Sequence, residues 1–182
     1  MPSSCRRIAP VLVLSPTRAK GCGTADGCYD ARPMYGVIER KRILAPRDEV
    51  WRVYTDHVSW TDWAGIGKVR LEREGQPPPN GVGCVRVISS FVVSVYEEIL
   101  SFDAPRRMTY RIVRGGLPIR NHHGQVDFEA DGDATNVTWR CEFESKIPGL
   151  GPLWKAIITK VFRDTLSGLA RYPFARSRGA AR

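Results

Sequence analysis

No stretch of this 182-residue chain stays apolar for the roughly 18 residues that a membrane-spanning helix needs. Stable membrane insertion is therefore not expected. Catalytic signatures are also missing. The sequence has no Gly-x-Ser-x-Gly elbow, no Walker loop and no His-Glu-x-x-His pair. Gly65-Ile66-Gly67-Lys68 is too short to cradle a phosphate. Histidines number 3 and cysteines 5. Cys22 and Cys28 stand too far apart for a zinc pair, so no metal is expected. An odd cysteine count without a convincing export signal points to free thiols in a reducing, cytoplasmic compartment. Pro10 interrupts the short apolar run after Arg6 and Arg7, and Arg18 and Lys20 stand where a cleavage site should be.

The formal net charge is +9, but it is unevenly spread. Residues 1–33 carry five basic and two acidic side chains, and residues 173–182 carry three basic and none acidic. The stretch 34–172 holds 20 basic and 17 acidic residues, an excess of only three. No face of the folded part need be basic, so a nucleic-acid partner is not expected. Residues 1–33, rich in Gly, Ser, Pro and Arg without periodicity, are expected to form a disordered N-terminal extension, the alternative being translation from upstream of a true start at Met34. Residues 173–182 are expected to be a frayed basic tail.

What is present between these ends is periodic. Met34–Leu44 predicts a strand, and Pro46 with Asp48 and Glu49 opens a helix bearing Val50, Trp51 and Tyr54. Ser59-Trp60-Thr61-Asp62 has the spacing of a capping box and starts a very short second helix. Strands follow over 66–74, 82–90, 91–102, 107–113, 119–130 and 135–145, punctuated by Pro, Gly and Asp turns. Val137, Trp139, Cys141 and Phe143 alternate with Asn136, Thr138, Arg140 and Glu142. Met108, Tyr110 and Ile112 share a face in the same way. A long helix from Leu153 to Tyr172 carries a seam of Trp154, Ile158, Val161, Thr165 and Leu169, widened by Ile157, Phe162 and Leu166. So wide a stripe needs a sheet to cover it. The pattern predicts an α+β domain over 34–172. A curved antiparallel sheet would wrap around a long C-terminal helix and leave a ligand cavity between them.

Few polar side chains point inward on this pattern. Counting back from Phe128 and Val126 puts Gly124, His122 and Arg120 on the inner face, and His123 outward. His122 is either an interior histidine at a polar rim or a ligand contact. Glu97-Glu98 reads as an edge or surface pair rather than a general base. Trp60, Trp63, Trp139 and Trp154 serve as core, lid or cavity wall.

Several segments resemble the START-like (SRPBCC) superfamily, of the polyketide cyclase/dehydrase and lipid-transport type. These are Ile43-Leu44-Ala45-Pro46-Arg47-Asp48-Glu49-Val50-Trp51, Trp60-x-x-Trp63, Glu98 with Phe102-Asp103-Ala104-Pro105-Arg106-Arg107-Met108-x-Tyr110, and Ala134-Thr135-x-Val137-x-Trp139. The resemblance covers about 34–172. It implies a helix-grip fold: a seven-stranded antiparallel sheet gripping the last helix, two small helices closing one end, a hydrophobic cavity and no obligatory cofactor. The expected ligand is a small hydrophobic or amphipathic molecule such as a lipid, isoprenoid or polyketide. An enzyme of the polyketide cyclase/aromatase type and a protein-interaction module are the alternatives. The expected ligand-binding residues are Trp63, Tyr110, Arg120, His122, Trp139, Trp154, Ile158 and Phe162. Arg120 and His122 would anchor the polar end, an acidic one suiting Arg120, while Trp139 and Trp154 bound the apolar body. The pattern carries no signal for oligomeric state.

Overall fold

Residues 33–90 and 93–174 are described in a computed structural model. The expectations placed on the N-terminal extension with Cys5, Cys22 and Cys28, and on the tail from residue 175, lie outside these residues. The chain runs β1 (Met34–Ile43), α1 (Arg47–Thr55), α2 (Trp60–Trp63), β2 (Lys68–Arg73), β3 (Val85–Ser89), β4 (Ser94–Asp103), β5 (Arg107–Gly115), β6 (Ile119–Asp131), β7 (Ala134–Ser145) and α3 (Gly151–Arg171). One curved, seven-stranded sheet has the order β1-β7-β6-β5-β4-β3-β2, antiparallel throughout. Consecutive strands are neighbours from β2 to β7, and β1 closes the far edge beside β7. This is the helix-grip architecture that the sequence predicts.

Local chemistry sets the helix ends, with three departures from expectation. Pro46 is the N-cap of α1 rather than its first helical residue. Ser59 caps α2 with no side-chain bond, so the capping box does not form. The Ser59 hydroxyl instead donates to the Asp56 carbonyl at 2.8 Å and accepts from Trp63 Nε1 at 3.1 Å. Helix α3 begins at Gly151, before the expected Leu153. Pro152 therefore falls in its first turn, where a missing N–H costs no hydrogen bond.

The alternating residues of β7 turn Val137, Trp139, Cys141 and Phe143 into the core, and β5 adds Met108 and Tyr110. Ile158, Phe162, Leu166 and Leu169 of α3 are buried against this layer, each contributing about 1.5–3 kcal/mol. The Phe162 ring stacks on Trp139 with centroids 4.1 Å apart. Arg163 reaches across to Glu39 of β1 at 2.9 Å. Gly168 lets α3 approach α2, since a Cβ there would meet the Trp63 carbonyl oxygen at 2.3 Å. Val161, placed by its phase in the sheet-facing seam, is instead 39% exposed, at the edge of the stripe.

Candidate functional site

Sheet curvature and α3 enclose a cavity of about 890 Å³. The sheet side is built from alternate residues of β3 to β7, among them Ile88, Val95, Glu97, Tyr110, His122 and Trp139. Trp154, Ile157, Ile158, Val161 and Phe162 of α3 form the opposite wall. Most of this surface is apolar. Lys68, Ser90 and Asp164 also line the cavity and are exposed, so they mark its open side. Glu97, Tyr110 and His122 are buried and mark its inner end.

The inner end is organised by a cation the sequence did not single out. Arg86 of β3 is wholly buried. It is the direct cross-strand partner of Glu97 on β4. Arg86 Nε donates to Glu97 Oε2 at 2.8 Å, and Nη2 lies 2.8 Å from the same oxygen. The guanidinium sits 4.4 Å from the Trp60 ring centre and 4.9 Å from that of Tyr110. Two aromatic faces and one carboxylate thus replace the water that Arg86 has lost. Burial works against its charge, but Glu97, with Tyr54 and Tyr110, outweighs burial and raises its pKa.

Tyr110 is fixed from two sides. Trp139 Nε1 donates to its hydroxyl oxygen at 2.8 Å. Its ring lies over Gly124 of the neighbouring strand, where a Cβ would stand 2.3 Å from the ring carbon Cζ. Burial, then the nearby Glu97 carboxylate, push its pKa well above the usual tyrosine value, so the hydroxyl keeps its proton. His122 packs against this ring with centroids 5.5 Å apart. Burial first, then His123 and Arg86, lower the His122 pKa to about 4, so the imidazole is neutral near pH 7. Its Nδ1 has no partner among the described residues.

Nearby, Cys84 Sγ lies 4.0 Å from His57 Nδ1. Burial raises the thiol pKa and holds the imidazole well below its ordinary value. The two are a neutral buried pair, not a thiolate nucleophile with its base. No group of three or more His, Cys, Asp or Glu side chains among the described residues is placed to hold a metal ion.

Of the eight residues singled out from sequence, Tyr110, His122, Trp139, Trp154, Ile158 and Phe162 stand on the cavity wall. Trp63 does not; it packs edge-on against Tyr172 beside the end of α3. Arg120 is the clear correction. It faces outward and donates to Glu144 Oε2 at 2.8 Å. A bulge between Arg120 and His123, with Asn121 at φ 51°, shifts the inner face by one residue, so Ile119 and His122 point in together. Glu97 is the second correction, since it is buried on the cavity wall rather than at the surface. Glu98 does lie outside, held by Arg73 and Arg111. Arg86 itself shares a strand face with Cys84 and Ile88, a parity that was available in the sequence.

A sequence profile of the family described as polyketide cyclase/dehydrase and lipid transport matches residues 35–172. No curated protein matches the chain. Solved structures do, at low identity. A START superfamily protein from Mycobacterium smegmatis is 11% identical with a TM-score of 0.65, over 74% of this chain and 94% of its own. Zhui aromatase/cyclase from a Streptomyces species is 17% identical with a TM-score of 0.64, over 76% of this chain and 92% of its own. Norcoclaurine synthase from Thalictrum flavum, in complex with dopamine and hydroxybenzaldehyde, is 16% identical with a TM-score of 0.63, over 84% of this chain and 95% of its own. At such identities the likeness shows a common fold.

Proposed function

The chain belongs to the polyketide cyclase/dehydrase and lipid-transport family, and we propose that it binds a small hydrophobic or amphipathic molecule between sheet and α3. One observation carries this reading. The cavity of about 890 Å³ has mainly apolar walls and a few fixed polar groups gathered at one end. That is the composition of a small-molecule site, in which apolar area gives affinity and a few polar atoms give orientation. Norcoclaurine synthase, with the same fold, holds aromatic molecules in its solved complex.

Trp60, Trp139 and Trp154 line the cavity, so indole fluorescence reports its occupancy directly. Titration with the neutral apolar dye N-phenyl-1-naphthylamine is expected to quench the tryptophans with saturation at one dye per chain. Replacing Phe162 with Trp should narrow the cavity and weaken the dye at least threefold. No saturable change in the native protein would remove the reading.

A second reading, an enzyme that steers enolisation or dehydration of a poly-ketone, is favoured by Tyr110 and Glu97. A hydroxyl donor and a carboxylate face the same cavity, and such a pair can hold a carbonyl oxygen and take up a proton. Turnover of a poly-ketone would support it, and a bound molecule recovered unchanged would support the carrier.

A further inference from the structure

We infer that the cavity selects an uncharged molecule whose polar end is a hydroxyl, an alcohol, phenol or enol, and rejects the matching carboxylate. This rests on the binding reading above and names the chemistry of its ligand.

The wall at the inner end presents only one half of an ion pair. Glu97 lines the cavity, whereas Arg86 is 0% exposed and lies behind the wall, covered by the rings of Trp60 and Tyr110. Both guanidinium contacts fall on Oε2, and Glu97 Oε1 accepts no hydrogen bond among the described residues. An incoming polar group therefore meets a carboxylate oxygen able to accept. It also meets the Tyr110 hydroxyl. That oxygen already accepts from Trp139, so its own proton is what remains to give. His122, 91% buried on its 9% exposure, adds a neutral ring with an unpartnered Nδ1.

A ligand hydroxyl satisfies this set in both directions, donating to Glu97 and accepting from Tyr110. A ketone uses Tyr110 alone. A carboxylate would be buried with only the Tyr110 hydroxyl to donate to it and no cation on the wall at the inner end to pair it, since Lys68 lies at the open side, a costly burial. An ammonium would meet Glu97, but the guanidinium behind it already neutralises that charge.

The test compares four ligands of one skeleton by isothermal titration calorimetry near pH 7: naphthalene, 2-naphthol, 2-naphthoate and 2-naphthylmethylammonium. Naphthol is expected to bind at least tenfold tighter than either charged ligand and more tightly than naphthalene. Tyr110→Phe should bring naphthol down to the level of naphthalene without strengthening naphthoate. Glu97→Gln should turn the preference, strengthening naphthoate at least tenfold relative to naphthol because Arg86 is then uncompensated. Should that variant fail to fold, the native ratios still decide. Naphthoate equal to or tighter than naphthol overturns the inference while leaving cavity binding intact. No binding of any of the four, naphthalene included, overturns both.

Discussion

A hydrogen atom is all that fits on the Cα of Gly124, because the Tyr110 ring crosses β6 at that point. The position has room for no methyl group, and the ring is 1% exposed, so it has nowhere to retreat. Gly124→Ala is expected to cost about 1–3 kcal/mol, a fall of roughly 4–10 °C in melting temperature. Gly36 on β1 is the control, since nothing lies within 4 Å of its would-be Cβ. Gly36→Ala should move the midpoint by less than about 2 °C. Equal losses in the two variants would show that the ring is not wedged on Gly124. Arg86 poses a different question at the same scale. Arg86→Met strands Glu97 in the wall and is expected to cost about 3–5 kcal/mol in urea unfolding. Adding Glu97→Leu removes the stranded charge and should recover a large part of that loss. A double variant no more stable than the single one would mean that Arg86 stabilises through its ring contacts alone.

Helix α3 tests the phase of a whole element. Ile158 faces the cavity and the sheet, whereas Lys160 is exposed and pairs with Asp164 one turn on. Ile158→Asp should destabilise by more than about 3 kcal/mol, as an unpaired charge enters an apolar layer. Lys160→Ala should stay within about 0.5 kcal/mol. Similar losses would mean that the helix is rotated from the phase described. That phase was legible in the sequence because a period of 3.6 against a period of 2 is a property of one segment at a time. The alternations of β5 and β7 were legible for the same reason, and they put Tyr110 and Trp139 on the correct face. Arg120 was misplaced because one extra residue inverts a strand's parity. The signal was Asn121, a residue type that tolerates a left-handed backbone, in the middle of the run. The Arg86–Glu97 pair was hidden for another reason. A charge on the inner face looks misplaced until its partner is known, and that partner is set by the register of β3 on β4, which neither strand carries alone.

Taken whole, the molecule keeps many charges on its outer face and titratable rings inside. Outside, Asp127 binds Arg107 and Arg140, Glu98 binds Arg73 and Arg111, and Arg42 binds Asp131. Arg42–Asp131, exposed on both sides, contributes little, whereas the Asp127 carboxylate is itself buried between its two arginines. The uneven spread of charge in the sequence leads to a proposal about the ends: removing residues 1–33 should leave the melting temperature within about 4 °C, and a larger fall would show that they pack on the domain. The interior sets the response to acid. Burial, with His123 and Arg86, lowers the His122 pKa from 6.5 to about 4, and burial with Arg86 lowers that of His57 in the same direction. Between these values the unfolded chain takes up a proton that the folded protein refuses. Stability is therefore full above pH 6.5, falls as the pH drops through the window, and loses nothing more from His122 below about 4. Over the window His122 alone is worth about 3 kcal/mol. Urea unfolding at half-unit steps between these limits should show the decline beginning above the range where ordinary carboxylates titrate. His122→Gln should remove about one proton from the slope, roughly 1.4 kcal/mol per pH unit at its steepest. An identical slope in the variant would mean that His122 is protonated as easily inside the fold as outside it, and that the inner end of the cavity is open to water.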